Sequence, residues 1–361
     1  MTYLTHLMKS KYLQPKTYLP SLVFVLSMTI AGLISIQFVN TRDGLVWASF
    51  SVLCTFALYN ASRDKVNLLY IALFMVVILS STFLGMLFQL GWQYYCFLFI
   101  ITFIYSYQFG RGAVFDNGMR FIIILATIGT TMPAITYGLP IAGGLGIITA
   151  LLVCSLLLHK AHDKNAFNLG LFQNERLTQS GKLIPRALFY STALFLCMVL
   201  PDFFGFEKNY WALITFLMVL PPKTISVVKN SLYRFIGSVL AVLLLYLLFE
   251  LPNYFDLPIN MIRYMILLFF IFAFILPLCF GKSFLLVTFG MTAYSMLVVE
   301  LAMYWDEPTP ALLITRVIET FIGGMMAIIA GLFIKWIRPK MSHIESENSI
   351  DSASQVSSDQ F

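Results

Sequence analysis

Charged residues are scarce in this sequence. Asp, Glu, Lys and Arg make up 11% of its 361 residues, whereas the residues AVILMFWYC make up 59%. A soluble globular domain carries about 25% charged residues, so the composition excludes an ordinary soluble protein. The short alternating segments of a transmembrane β-barrel are missing too. The sequence therefore predicts an all-α polytopic membrane protein, whose helices satisfy their own backbone groups in lipid.

Cysteine is sparse as well, and the common motifs for nucleotides and metals are missing. The five cysteines fall inside apolar runs at irregular spacing, which argues against a disulfide framework or a zinc site. No P-loop, HExxH, GxSxG or paired CxxC occurs, so ATP-driven transport and the common hydrolytic sites have no motif support. We expect no cofactor, no metal site and no enzymatic activity.

Long apolar runs, by contrast, are abundant. Twelve segments are candidate transmembrane helices, although ten would also fit: 18–39, 44–59, 67–90, 93–109, 119–137, 139–159, 185–203, 210–222, 231–251, 261–280, 284–304 and 312–337. All but four of the 23 Lys and Arg residues lie on the side of the N-terminus, the exceptions being Arg42, Lys208, Arg263 and Arg316. The positive-inside rule then predicts cytoplasmic N- and C-termini. This placement explains the formal charge of +6 without a nucleic acid partner.

Three sequence patterns recur between the two halves of the chain. FGRGAVFDNGMR (109–120) matches FGKSFLLVTFGMT (280–292), and IAGGLGIITALLVCSLLLHK (141–160) matches FIGGMMAIIAGLFIKWIRPK (321–340). A Trp-Ala pair at Trp47 recurs at Trp211. These matches indicate a duplication of six helices. Because each half contains an even number of helices, the two repeats are predicted to be parallel.

The repeat predicts five segments. They are a cytoplasmic N-terminal segment (1–17), a first six-helix membrane half (18–159), a cytoplasmic linker (160–184), a second six-helix membrane half (185–340) and a disordered cytoplasmic tail (341–361). The first segment has no compact apolar region and no small-residue cleavage site, so we expect no removable signal peptide. The tail is rich in Ser and acids and too poor in apolar residues to order itself.

The eighth candidate span is unusually short. As a helix, Tyr210–Leu220 would rise by only about 16 Å, half of a bilayer core, and its counterpart at 44–59 is also predicted to be short. Short or Pro-interrupted segments at matching places in two repeats indicate a transporter's binding site. The other interpretation is that Pro221 and Pro222 only kink a longer helix. For Tyr210 and Trp211, an aromatic belt at the outer interface is favoured over a stacking platform.

Two ionisable residues lie in the last span, where charges are costly and often functional. Arg316 and Glu319 are three residues apart, so they share one helical face. That face continues through small residues that allow another helix to approach closely: Gly323, Ala327 and Ala330. The pair is either a self-neutralising ion pair near the outer interface or a site that binds substrate or protons.

The ninth span repeats this geometry with Arg234 and Gly237. Arg234 is either a topology anchor at the cytoplasmic surface or an anion contact at the cytoplasmic entrance. The matching positions of the first half fall near Ile71 and Phe74. The Arg and the Gly therefore belong to one half only, which favours a function.

The stretch YWALITFLMVLPPKTISVVKNSLYRFIGS (210–238) resembles the membrane domain of the fusaric acid resistance family, which includes aromatic carboxylic acid exporters. The resemblance covers 183–340 best, and it places Tyr210, Trp211, Arg234 and Gly237 on the family pattern. It implies a bacterial inner-membrane efflux protein, driven by the proton gradient, that exports small aromatic or amphipathic acids. Unlike many relatives, the chain lacks a large cytoplasmic domain after each half.

The resemblance also implies partners. They are a small organic anion as substrate and a periplasmic adaptor protein. Membrane lipid is a partner that the composition already predicts, and a homo-oligomer stays open. Two other functions stay open at this point. One is an anion channel, and the other, less favoured, is a membrane scaffold or enzyme.

Overall fold

A computed structural model describes residues 15–62, 65–132, 137–162, 180–203, 210–221, 227–255, 260–303 and 316–333. The predicted tail at 341–361 lies outside the described residues. So do residues 1–14 of the predicted N-terminal segment and residues 163–179 of the predicted linker.

Twelve helices lie in the described part of the chain. The first six are α1 (Pro15–Ser35), α2 (Thr41–Ala61), α3 (Leu68–Phe88), α4 (Trp92–Gln108), α5 (Ala113–Gly129) and α6 (Gly138–Leu158). The next six are α7 (Ser180–Phe203), α8 (Tyr210–Val219), α9 (Val227–Tyr254), α10 (Met261–Cys279), α11 (Phe284–Met303) and α12 (Arg316–Phe333). Two short strands, β1 (Lys65–Val66) and β2 (Ala161–His162), pair in parallel.

Eight of the described helices are long and apolar enough to cross a membrane. They are α1, α2, α3, α6, α9, α10, α11 and α12. Their outer faces expose large apolar side chains, such as Leu156 at 67% and Leu247 at 56%. Faces of this kind suit a lipid environment, whereas in water large apolar patches are rare. The prediction of an all-helical, multi-pass membrane protein is confirmed, while the number of spans stays a prediction.

The second helix is longer than the sequence predicts. We expected a short span at 44–59, but α2 contains 21 residues. Its polar ends are helical because side chains satisfy the backbone there: Asn40 accepts a hydrogen bond from the Asp43 N–H at 2.7 Å. At the other end, the Asn60 side chain donates to the Phe56 carbonyl at 2.9 Å. The prediction of two matching short spans is therefore wrong, because α2 is long enough to cross a membrane whereas α8 is not.

Two further helices begin earlier than predicted. α5 begins at Ala113 rather than at 119, because Asp116 lies in its first turn, where the helix dipole favours a negative charge. The Asp116 carboxylate also accepts the Gly110 N–H at 2.9 Å. α7 begins at Ser180, inside the segment predicted to be a linker. In both places the polar residues belong to a helix end rather than to a loop.

The first six helices pack against the last six through matching partners. α1 contacts α10 and α4 contacts α7, so the first helix of each group meets the fourth helix of the other. Likewise α2 contacts α11 and α5 contacts α8. Within the groups, α3 packs on α5 as α9 packs on α11. α2 is the most buried of the eight long spans, so the core lies around α2 and α8, where the two groups meet.

Glycines allow the closest of these helix contacts. A Cβ added to Gly146 on α6 would lie 2.8 Å from the Ala48 carbonyl oxygen, and one added to Gly323 on α12 would lie 2.3 Å from the Ala212 carbonyl oxygen. Both contacts involve the Ala of a Trp-Ala pair. By contact, therefore, Gly323 corresponds to Gly146, three residues beyond the Gly143 that the sequence match predicted.

Candidate functional site

α8 is a short helix inside the protein. Its 10 residues rise by about 15 Å, and every one of them is buried except Met218, which is half-buried. α5, α7 and α9 contact it, and Gly323 brings α12 against it. A helix of this length cannot cross a bilayer core alone, so both of its described ends lie among the neighbouring helices.

The C-terminal end of α8 is satisfied by a side chain from α7. The Leu220 N–H donates to the Phe216 carbonyl at 2.9 Å, and Pro221 follows, which has no N–H to continue the helix. The Tyr190 hydroxyl donates to the Leu220 carbonyl at 2.9 Å. This bond fixes α7 to the point where α8 stops.

The N-terminal end of α8 meets Arg316. The guanidinium carbon of Arg316 lies 3.7 Å from the centroid of the Trp211 ring, and both side chains are buried. The Tyr210 and Trp211 rings are also in contact, with centroids 4.7 Å apart. The favoured prediction of an aromatic belt is wrong for these two residues, because both are buried among helices of the protein. Trp211 instead forms a stacking platform for Arg316.

Arg234 and Glu319 complete the cluster. Arg234, Arg316 and Glu319 are 3%, 1% and 0% exposed, and the Arg316 guanidinium lies within electrostatic range of Arg234, Glu319 and Tyr210. The sequence placed Arg234 at the cytoplasmic entrance and the other two at the opposite interface. The structure corrects this separation and brings five of the six predicted site residues together.

The packing of α9 against α12 explains why these charges meet. The Ser231 hydroxyl of α9 donates to the Gly324 carbonyl of α12 at 3.2 Å, and Val227, one turn earlier on α9, faces Gly331, two turns later on α12. The two helices are therefore antiparallel. One turn beyond Ser231, α9 reaches Arg234, and one turn before Gly324, α12 reaches Glu319.

The cluster has a net positive charge and more hydrogen-bond donors than it has acceptors for them. It contains two guanidinium groups and one carboxylate, and the N-terminal end of α8 adds a partial positive charge. Several buried donors have no hydrogen-bond acceptor within the described residues, namely Nε of Arg234, Nε and Nη1 of Arg316 and Nε1 of Trp211. Unsatisfied buried donors are rare and costly. The arrangement is suited to bind an anion, whose oxygens would accept these hydrogen bonds.

Gly237, the sixth predicted residue, has a packing contact. A Cβ added there would lie 2.9 Å from the Leu285 carbonyl oxygen and from a methyl group of Thr288. Gly237 therefore allows α9 to approach α11, one turn from Arg234. The small-residue stripe of α12 packs against protein as predicted, since Gly323, Ala327 and Ala330 are all buried.

Two neutral polar residues beside the cluster were not predicted from the sequence. The hydroxyls of Thr215 and Thr320 are buried and have no hydrogen-bond partner in the part of the chain that the structure describes. Thr215 lies one turn after Trp211 and Thr320 one turn after Arg316, so helical spacing was enough to predict both. A further buried carboxylate, Glu300, lies on α11. Among the described residues, no group of three or more His, Cys, Asp or Glu side chains could hold a metal ion.

Residues 196–330 match the family model described as fusaric acid resistance protein-like. The match contains α8 to α11 and most of α12, and with them all six predicted site residues. No curated protein matches the chain, and no solved structure does. The resemblance predicted from the sequence is confirmed by the match over these residues.

Proposed function

We propose that this membrane protein is an efflux transporter for small aromatic or amphipathic organic acids. The match of residues 196–330 to the fusaric acid resistance protein-like family supports this proposal. The observation that carries the proposal is the buried cluster of Arg234, Arg316 and Glu319 at the N-terminal end of α8. We place the protein in the bacterial inner membrane, with both termini in the cytoplasm, and export is driven by the proton gradient.

The chemistry of the cluster supports an organic anion as substrate. Two guanidinium groups against one carboxylate leave one unbalanced positive charge, and an isolated charge inside a membrane protein is costly. A bound carboxylate would neutralise that charge and accept hydrogen bonds from both arginines. Glu319 supplies the group of this charged trio that can take up and release a proton, since arginine side chains stay protonated in proteins.

Matching contacts support two parallel repeats of six helices. The first helix of each group meets the fourth of the other, and the second meets the fifth, as expected of halves related by an axis along the membrane normal. We propose α1–α6 and α7–α12 as these halves, corresponding to 18–159 and 185–340. On the contact-based correspondence, Arg316 and Glu319 match Leu139 and Ala142, so the charged cluster belongs to the second half.

Accumulation of radiolabelled aromatic carboxylates, benzoate included, tests the function. Cells that make the protein should accumulate less of at least one acid than cells that do not. Arg234→Ala and Glu319→Gln should each remove this difference while the protein stays in the membrane. Lys229→Gln is the matched control, because Lys229 is exposed on the same helix. If a broad panel of organic acids shows equal accumulation in both cell types, export of this class is refuted.

An anion channel would use the same cluster, and energy coupling separates the two functions. In inverted membrane vesicles, a proton-coupled exporter should stop accumulating benzoate when the pH gradient is collapsed at constant membrane potential. Channel flux would continue and follow the electrochemical gradient of benzoate. Continued uptake under these conditions would replace the transporter by a channel.

We also propose that the protein has no enzymatic activity, and that it works with a periplasmic adaptor and as a homo-oligomer. Turnover of a lipid-linked substrate by the purified protein would overturn the first point. Chemical cross-linking in intact membranes, followed by identification of the products, tests the two partnerships. Exclusive recovery of uncross-linked single chains, under conditions that cross-link a known oligomer, would argue against both.

A further inference from the structure

A third arginine, partly buried, lies near the opposite end of α8. Arg120 is half-buried on α5, and its Nη2 donates to the Tyr105 hydroxyl on α4 at 3.4 Å. Its Nε is buried and has no acceptor in the described part of the chain. The guanidinium also lies within electrostatic range of Tyr190 and Asp116. Arg120 is thus a partly buried cation that the cluster at the other end of α8 does not use.

Two tyrosines connect Arg120 to the end of α8. The Tyr105 and Tyr190 rings pack edge to face, with centroids 6.1 Å apart, and the Tyr190 hydroxyl donates to the Leu220 carbonyl. The group therefore joins α4 and α5 of the first six helices to α7 and α8 of the last six. The Tyr190 hydroxyl donates its proton to the Leu220 carbonyl. The Tyr105 hydroxyl accepts a hydrogen bond from Arg120, so its own proton can still be donated to a ligand.

The matching interface on the other side shows that packing does not require this charge. There α1 meets α10 and α11, and Tyr294 packs against Phe24 and Phe269 with centroids 5.9 and 5.5 Å apart. The Tyr294 hydroxyl donates to the Met28 sulfur at 3.6 Å. These partners are neutral, so the same kind of helix interface is stable without an arginine.

Structural partners balance Arg120 only in part. Asp116 lies one turn earlier on α5 and contributes a nearby negative charge, and the C-terminal end of α8 contributes a partial negative charge. Neither provides an acceptor for Nε, which keeps one charged donor available. The oxygens of a carboxylate are suited to accept it. Because Arg120 is not fully buried, such a ligand can reach it.

We infer that Arg120 and Tyr105 form a second contact for the organic anion, at the C-terminal end of α8, with Tyr190 as the residue that positions this contact against α8. The inference rests on the proposed transport of organic anions. The two contacts lie at opposite ends of one buried helix of about 15 Å. They would receive the anion in succession as it passes along α8, between the two groups of helices.

Binding of benzoate and of its neutral analogue benzamide to the detergent-purified protein tests the inference. Arg120→Met should weaken benzoate binding about tenfold or more, as the loss of a charge-assisted hydrogen bond implies, and leave benzamide binding unchanged. Arg120→Lys keeps the charge and should bind benzoate nearly as well as the wild type. Tyr105→Phe keeps the ring packing but should weaken benzoate binding severalfold.

Tyr294→Phe, at the uncharged interface, is the control and should change neither affinity. Wild-type benzoate affinity in Arg120→Met would overturn the inference, as would an equal loss for benzoate and benzamide, which marks a purely structural role. If the Arg120 variants bind benzoate normally but Arg234→Ala weakens benzoate binding in the same assay, only the second contact is refuted and the proposed function is retained. A wild-type protein that binds benzoate no better than benzamide would refute the proposed anion site itself.

Discussion

Arg316 lies over the face of Trp211, with its guanidinium carbon 3.7 Å from the ring centroid. The ring stabilises the cation through its π face, and the Arg316 Nε and Nη1 remain without an acceptor in the residues that the structure describes. Trp211 therefore helps to hold a buried charge in place without using those hydrogen-bond donors. This arrangement keeps the arginine ready for an anionic ligand.

Replacing Trp211 should show how much this stacking contributes to the stability of the protein. Trp211→Leu removes the ring and should destabilise the protein by about 3 kcal/mol or more, because a large buried side chain and a cation–π contact are lost together. Trp211→Phe keeps an aromatic face and should cost less. Unfolding in detergent, followed with increasing denaturant, measures both. Trp92→Leu is the control, since Trp92 is 71% exposed, and an equal loss for Trp92→Leu and Trp211→Leu would contradict the role assigned to the stack.

The membrane class and the resemblance to the fusaric acid resistance protein-like family over residues 196–330 could be predicted from the sequence, because they depend on local composition and on one local motif. The burial of the charged side chains inside the protein could not be predicted. Arg234 follows Lys229 at the start of an apolar run and therefore looks like a surface anchor, but α9 begins at Val227 and packs antiparallel to α12. Whether two residues 82 positions apart in sequence, such as Arg234 and Arg316, meet depends on helix register and tilt. Neither is encoded in a single apolar run.

The ends of some helices were predicted wrongly for a related reason. The predicted second span ends where polar residues begin, but the side chains of Asn40 and Asn60 form hydrogen bonds with the backbone of α2 and extend the helix. Such capping is local and predictable in principle. The prediction for Tyr210 and Trp211 was wrong for another reason. Their sequence pattern is typical of an aromatic belt at the membrane interface, but tertiary packing buries both side chains inside the protein.

Glu319→Gln should separate anion binding from energy coupling. Removing the carboxylate raises the net charge of the cluster from one positive charge to two, so benzoate should bind at least as tightly as to the wild type. The variant can no longer take up a proton at this position, so accumulation driven by a pH gradient should be lost. Equilibrium binding and gradient-driven uptake into inverted vesicles measure the two effects.

Glu250→Gln is the control for this experiment, because Glu250 is half-buried near the end of α9. It should retain both binding and uptake. Full gradient-driven uptake by Glu319→Gln would show that the coupling proton is carried elsewhere, whereas loss of benzoate binding would show that the carboxylate mainly holds Arg316 in place.

Two adjacent glycines on α12 provide a sharp test of helix packing. A Cβ at Gly323 would lie 2.3 Å from the Ala212 carbonyl oxygen, whereas one at Gly324 would come no closer than 3.8 Å to Ser231. Gly323→Ala should therefore push α12 away from α8 and destabilise the protein by about 1–3 kcal/mol. Gly324→Ala should be tolerated, and it gains helix propensity. Thermal unfolding in detergent compares the two, and equal stability of both variants would contradict the α8–α12 contact.

Lys160 joins the ends of two helices of the first six. Its ammonium donates to the carbonyl oxygen of Tyr59 at 2.9 Å and to that of Ser62, and it lies 5.3 Å from the centroid of the Tyr59 ring. The last carbonyls of a helix have no partner within the helix, and a cation at this end also complements the helix dipole. Lys160 therefore caps α2 from the chain segment that follows α6.

Lys160→Met keeps the apolar stem but removes these hydrogen bonds, so the end of α2 should become less stable by about 1.5–3 kcal/mol, the usual contribution of a bond to a charged group. Hydrogen exchange should then accelerate in the last turn of α2 and in the β1–β2 pair, while α8 and α12 keep their protection. Lys65→Met provides the comparison, because Lys65 is exposed in the adjacent β1 and its loss should leave α2 unchanged. If the two variants exchange alike at Tyr59 and Asn60, the cap contributes nothing measurable to this helix end.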